Sequence, residues 1–203
     1  MGIYKPIRLL QNIKRKDYNY DLVDYVWLTN YFNDTETARI TALWDADLAS
    51  DAKVNKGGDE HERDDLRKSK IMFLNSGEND WIYDKLAIAC VQVNTNKFKF
   101  DLTGFQTALQ LASYGPEDFF EWHLDYGAGD ISNRKLSITV QLSDPNEYEG
   151  GDLQFMINHK AVSAPKTKGT AIIFPSYTQH RVLPVTSGCR KSIVGWIAGP
   201  PYR

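Results

Sequence analysis

The sequence predicts an α+β domain, mainly β, with helices packed on one face of a β-sandwich or barrel. Three observations predict it. In the 203-residue chain, apolar residues recur at helical spacing only in the first half. From about residue 103 onward, short runs alternate polar and apolar with period two between turn residues, as half-buried antiparallel strands do. No fixed-period repeat, low-complexity tract or Pro/Gly-rich linker divides the chain. A single domain over 1–203 is therefore the expectation, with helical support over about 1–100 and a β core over about 101–203.

The elements follow in order. "MGIYKPIRLLQNIKRKDYNYDL" scatters charges among its apolar residues and carries neither the apolar stretch of a secretory signal nor the Ser/Thr of a myristoylation site. Residues 33–48 open with Asn33, Asp34 and Thr35 as capping candidates, and Ala38, Ile40, Leu43 and Trp44 fall near helical spacing, so a helix is predicted. Residues 50–70 are polar and highly charged and read as an exposed loop, either a lid over a cavity or a solvated segment. A strand over "KIMFLN" precedes a second helix in "DWIYDKLAIACVQVNTNKF", with Trp81, Leu86, Ile88, Ala89 and Val93 on its buried face. The strand train follows: "TALQLASYG", "FFEWHLDYG", "KLSITVQLSD", "GDLQFMIN", "GTAIIFPS", "HRVLPVTSG" and "CRKSIVGWIAG".

Bulk properties exclude several function classes. Hydrophobic residues at 42% and charged residues at 25% are ordinary for a globular domain, and a net charge of -2 argues against a nucleic-acid footprint. No run approaches the roughly 20 apolar residues that span a bilayer. Cys90 and Cys189 lack C-x-x-C spacing and read as free thiols in a reducing compartment. A soluble, cytoplasmic protein is expected, with a peptide or small-molecule substrate rather than nucleic acid or membrane as its partner.

The chemistry centres on "EWHLDYG", residues 121–127. In a strand, positions i and i+2 face the same way, so His123 and Asp125 project together. The plain alternative is a surface pair alternating with buried Trp122 and Leu124. The chain has four histidines, so a third ligand is sought among few residues. His61 sits in a charged loop and His159 at a turn between strands. His180 opens a late strand, which can lie beside an earlier one in a closed antiparallel sheet. Two histidines and a carboxylate leave three octahedral positions open on one side, which suits a non-haem Fe(II) oxygenase that must bind co-substrate and dioxygen together. Arg190 follows across a predicted turn at Thr186, Ser187 and Gly188 and shares a strand face with Ser192, Val194 and Trp196. Its guanidinium could clamp a carboxylate bidentately, unless it is a surface arginine like Arg181. An anion that chelates Fe(II) at one end and meets a cation at the other is 2-oxoglutarate. "DADLASD", residues 45–51, lacks the glycine and terminal glutamate of a calcium loop and is rejected as one.

The stretch 110–197 resembles the Fe(II)/2-oxoglutarate-dependent dioxygenases, in particular their prolyl 4-hydroxylase-like branch. The resemblance rests on "LQLASYG", "WHLD", "NRKLSITVQLSDPNEYEGGDLQF" and "FPSYTQHRVLPVTSGCRKSIVGW" in that order, and "LRKSKIMFL" extends it as an Arg-x-Ser strand before the core. It implies a double-stranded β-helix, or jelly-roll, with N-terminal helices on the larger sheet. It implies Fe(II) ligation by His123, Asp125 and His180, and 2-oxoglutarate held by Arg190 with Tyr114 and Gln141. Arg134 is implied as a contact to a peptide substrate, and Trp196 could wall the pocket near the iron. The reaction implied uses 2-oxoglutarate and dioxygen to hydroxylate a C–H bond, on a prolyl or other peptide side chain, with release of succinate and carbon dioxide. The same chemistry on a free amino acid, small metabolite or nucleobase is the alternative, as is a non-catalytic jelly-roll metal-binding module. Phe120 stands where relatives often carry tyrosine, and Glu117 where they often carry glycine. In "KLSITVQLS", Leu136, Ile138, Val140 and Leu142 are expected under the helices, and Ser137, Thr139 and Gln141 along the cavity. Gly150 and Gly151 are expected to allow tight backbone at the cavity mouth.

Overall fold

The computed structural model describes residues 24–56, 59–61 and 65–202. The N-terminal stretch read above for targeting signals lies outside them, and so does the side chain of His61. The chain runs β1 (Val26–Leu28), α1 (Asp34–Thr41), β2 (Ser50–Asp51), β3 (Val54–Lys56), β4 (Asp59–His61), β5 (Arg67–Lys68), β6 (Lys70–Leu74) and α2 (Asp80–Val93). A π-helical turn at Asn94–Phe98 leads to β7 (Gly104–Phe105), β8 (Leu109–Tyr114) and β9 (Phe119–His123). After a 3-10 turn at Gly129–Asn133 come β10 (Arg134–Gln141), β11 (Tyr148–Gly150), β12 (Leu153–Ile157) and β13 (Lys160–Ser163). The last strands are β14 (Ala171–Pro175), β15 (His180–Val182), β16 (Val185–Gly188) and β17 (Arg190–Ala198).

A larger sheet has the order β1-β14-β10-β17-β8-β6-β2, with β7 on β17, and a smaller one the order β13-β12-β15-β9-β5. From β8 onward the chain alternates between them: β8, β10, β14 and β17 lie in the larger sheet, and β9, β12 and β15 in the smaller. This is the expected jelly-roll. Its layers follow from period two in the central strands. Leu136, Ile138 and Val140 of β10 and Ala171 and Ile173 of β14 pack with Ile82, Leu86, Ala89, Cys90 and Val93 of α2. Ile172 and Phe174 point the other way and meet Leu153, Phe155 and Val182 of the smaller sheet. Helices therefore cover one face of the larger sheet, and the space between the sheets holds the polar half of β10.

Several expectations are corrected. α1 ends at Thr41 rather than near residue 48, because Leu43 and Trp44 reach the core from the turn after it; Thr37 and Ile40, not Ala38, are buried. Its start is as expected: Asn33 accepts from the Glu36 amide at 2.9 Å, and Glu36 accepts from the Asn33 amide at 2.8 Å. On α2 the buried stripe runs through Ile82, Leu86, Ala89 and Val93, which leaves Ile88 54% exposed. The segment 50–70 is more than a loop, since β2 pairs with β6, β5 pairs with β9, and Ala52, Arg67 and Ser69 are buried. Residues 24–100 thus contribute strands to both sheets as well as helices. The predicted turn at 186–188 is the strand β16, which pairs with β11; the reversal falls at Gly188, where φ is +74° and a Cβ would lie 2.1 Å from the Glu147 carbonyl oxygen. The turn at His159 is as read: Asn158 (φ 49°) and His159 (φ 63°) are both left-handed, as a two-residue hairpin requires. No helix among the described residues is long and apolar enough to cross a membrane.

Ile138 is fully buried where sheet and helix meet. Ile138→Ala is expected to cost about 2–5 kcal/mol, read from urea denaturation.

Candidate metal centre and adjoining pockets

β9 and β15 are antiparallel, with His123 directly opposite His180. Residues so placed bring their side chains together, and the two imidazole centroids lie 4.1 Å apart. Asp125 lies just beyond the end of β9, where its amide donates to the Ser176 carbonyl at 3.0 Å. The expected geometry holds even though the strand stops short: Leu124 turns outward, 46% exposed, and Asp125 turns in. Its Oδ1 is 3.9 Å from His123 Nε2, and its Oδ2 is 3.6 Å from His180 Nε2.

Each imidazole is held in one tautomer. His123 Nδ1 donates to the Glu121 carbonyl at 2.7 Å and His180 Nδ1 donates to the Thr178 carbonyl at 2.9 Å, because a carbonyl can only accept. With Nδ1 occupied by a proton, Nε2 is the nitrogen through which each ring can serve as a ligand, and it faces the space beside Asp125. Ser137 of β10 donates to Asp125 Oδ2 at 2.6 Å and fixes the carboxylate. Burial pushes the His123 imidazole down to about 3, aided by His180 and Arg67 and opposed by Asp125 and by the bond to Glu121. Burial alone would raise the Asp125 carboxyl, but His180, His123, Arg134 and the Ser137 hydroxyl together hold it below the usual carboxylate range. One ligand atom from each of His123, Asp125 and His180 lies within 4.8 Å of the others, so the three could hold a metal ion. Two imidazole nitrogens and a carboxylate oxygen converging from one side fit Fe(II).

An inner pocket between the sheets adjoins this centre, lined by Tyr114, Thr139, Arg190, Ser192, Val194 and Trp196. The face predicted for β17 is therefore formed. Arg190 is 2% exposed and donates from Nη2 to Gln141 Oε1 at 3.0 Å. Its Nε has no hydrogen-bond partner among the described residues, and none of their ion pairs includes it. A buried cation without a carboxylate is costly, so the pocket is built to receive an anion. The Tyr114 ring lies 5.4 Å from the guanidinium carbon. Gly151 leaves room behind: a Cβ there would come within 3.1 Å of Arg190 Cδ and 2.9 Å of Val185. Gln141 is held at both ends, since its Nε2 also donates to the Pro165 carbonyl at 3.2 Å. Its Oε1 thereby orients Arg190.

On the solvent side lies a cleft of about 430 Å³, lined by Ser50, Lys53, Arg67, Phe73, Arg134 and Trp196 with His123 and Asp125. Arg134 stacks over Trp196 at 4.1 Å, bonds to Gln106 through Nε, and reaches the Asp125 carbonyl at 3.4 Å. Both candidates thus stand at the cleft. Sequence reasoning missed the roles of three residues at the site. Ser137 was placed along the cavity by parity, but its bond to Asp125 needs the tertiary fold. Tyr148, whose hydroxyl pKa is raised by burial and lowered by the neighbouring Arg190 cation, sits two residues before the glycines on a strand too short to read. Arg67 was visible only in the Arg-x-Ser strand. Of the two departures, Glu117 adopts φ +68°, a conformation that favours glycine, and Phe120 stacks on His123.

Fold and donor set together define a double-stranded β-helix with a two-histidine, one-carboxylate centre and a buried arginine behind it. Residues 109–198 match the model of the 2OG-Fe(II) oxygenase superfamily, so the resemblance drawn over 110–197 is borne out. The chain is 39% identical over 80 residues to a PKHD-type hydroxylase of Synechococcus sp. (strain CC9902), covering 39% of this chain and 36% of that one. Matches of this kind span between 34% and 39% of the first curated relatives. The fold is similar to a Pseudomonas putida prolyl-4-hydroxylase (TM-score 0.71, 20% identity, 87% of this chain and 93% of that one). It is also similar to a Trichoplax adhaerens prolyl hydroxylase in complex with a hypoxia inducible factor peptide fragment (TM-score 0.73, 17% identity, 87% and 84%).

A histidine whose value falls from about 6.5 to about 3 in the fold is a proton that the unfolded chain binds and the folded chain refuses. Metal-free protein is therefore expected to keep its full stability above about pH 6.5 and lose it progressively as pH falls towards 3. Urea midpoints at pH 7.5 and 5 check this, with a shallower slope in His123→Gln.

Proposed function

We propose that this chain is an Fe(II)- and 2-oxoglutarate-dependent dioxygenase that hydroxylates a prolyl or other side chain of a peptide, with residues 1–203 acting as one domain. The observation that carries the proposal is the conjunction of the facial His123–Asp125–His180 donor set with an unpaired, buried Arg190 in the adjoining pocket. The family match over 109–198 supports the cofactors. The peptide complex of the structural neighbour supports the substrate class, as does a cleft open to solvent beside the metal-binding side chains.

His123, Asp125 and His180 would hold Fe(II), each kept in its ligating form by the Glu121 and Thr178 carbonyls and by Ser137. With Fe(II) bound, oxidative decarboxylation of 2-oxoglutarate by dioxygen to succinate and carbon dioxide is coupled to insertion of the remaining oxygen atom into a substrate C–H bond. Arg190 would pair with the distal carboxylate of 2-oxoglutarate. Gln141 holds the guanidinium in place, and Tyr114 walls the same end of the pocket. Leu153, Phe174, Val182 and Val194 line this pocket with apolar surface and would limit water around the co-substrate. Arg134 and Trp196, stacked at the boundary of the two spaces, would contact the substrate.

Purified protein supplied with Fe(II), 2-oxoglutarate and proline-containing peptides is expected to form succinate and carbon dioxide in step with a 16-dalton gain on the peptide. His180→Ala should lower turnover at least about 100-fold. Equal turnover by that variant would refute the site. Turnover with free amino acids but no peptide would move the substrate to the small-molecule class.

A further inference from the structure

The ring of Phe120 lies flat on that of His123, with centroids 3.4 Å apart and planes 11° from parallel. In a regular strand two residues three apart point to opposite faces. A register irregularity in β9 removes that opposition. His123 pairs with His180, but Phe120 pairs with Val182, so three steps on β9 match two on β15. The extra residue brings Phe120 round to the face of His123. The same distortion presents the Glu121 carbonyl to His123 Nδ1. On the far side, β5 sets Arg67 directly across from Phe120, and its guanidinium carbon lies 4.6 Å from the Phe120 centroid. Arg67 is 7% exposed and is itself fixed by donation from Nε to Ser69 at 3.0 Å. Three planar groups are thus layered as guanidinium, phenyl and imidazole.

We propose that Phe120 is a positioning residue for the metal centre: as the middle layer of this stack it fixes the plane of the His123 imidazole and so sets metal affinity. The inference rests on the reading of His123 as a metal ligand. One hydrogen bond at Nδ1 leaves an imidazole free to pivot about that contact. A flat ring against one face, with His180 on the other side at 4.1 Å, removes the pivot and keeps Nε2 aimed beside Asp125. The position uses the flatness of the side chain, not a hydroxyl.

The test compares Co(II) affinity, by titration of its visible absorption, in wild type, Phe120→Leu and Phe120→Tyr. Leucine keeps apolar bulk without a flat face and should weaken Co(II) binding by about 10–100-fold, the usual cost of losing an outer-shell orienting group. Tyrosine should stay within about twofold of wild type. Equal affinity of wild type and folded Phe120→Leu would overturn the proposal. A second measurement needs no variant to fold: in metal-free wild type, the carbon-bound imidazole protons of His123 should be shifted upfield by the Phe120 ring current. An ordinary shift would overturn the stack itself. If wild type binds no Co(II) at all while the ring-current shift is present, it is the metal-centre reading that fails.

Discussion

The site depends on the antiparallel pairing of β9 with β15, which sets His123 against His180. Each strand is short, and each carries its histidine at one end. The pairing converts two residues 57 positions apart in sequence into neighbours whose Nε2 atoms face one space. Asp125 completes the set because the chain leaves β9 immediately afterwards and is pinned to Ser176 next to β14. The larger sheet then contributes Ser137, so the carboxylate is held from one sheet and the imidazoles from the other. A metal bound here would tie β9, β15 and the chain just after β9 together, and its affinity is expected to rise with the stability of the fold.

The second constraint is electrostatic. Arg190 carries its charge at the start of β17 with the neutral amide of Gln141 as its hydrogen-bonding partner and the Tyr148 hydroxyl near it. Neutral partners orient a guanidinium without cancelling its charge, so the cost of burial is recovered only when an anion enters. Had Gln141 been a carboxylate, the arginine would be satisfied and the pocket indifferent to 2-oxoglutarate. Tyr148 and Gly151, on and just after β11, and Gln141 on β10 thus serve the same cation from different directions.

Much of this was legible in the sequence where one residue's role follows from strand parity. Ser137, Thr139 and Gln141 alternate with Leu136, Ile138 and Val140, and that alternation alone separates cavity from helix interface. The same holds for Arg190, Ser192, Val194 and Trp196. What was illegible depends on departures from regularity. Nothing in "FFEWHLD" reveals the bulge that lays Phe120 on His123, and period two places them on opposite faces. The strand at Val185–Gly188 was hidden because threonine, serine and glycine in a row read as a turn until Tyr148–Gly150 supplies a partner. Ser137 and Asp125 form their bond only once the sandwich closes. The charged stretch at 50–70 concealed Ala52, Arg67 and Ser69, which are buried beside the exposed Asp51, Lys53, Lys68 and Lys70.

The central claim is that Arg190 awaits the far carboxylate of an anion whose other end reaches a metal at His123, Asp125 and His180. The most direct test adds Fe(II) and then 2-oxoglutarate under anaerobic conditions and follows the weak visible charge-transfer absorption of the chelate. The account predicts a saturable band in wild type, no band in His180→Ala, and in Arg190→Ala a band that needs at least about tenfold more 2-oxoglutarate, consistent with losing a charge-assisted pair. A folded wild type that binds Fe(II) yet shows no band, or an Arg190→Ala variant that saturates at the wild-type concentration, would contradict it.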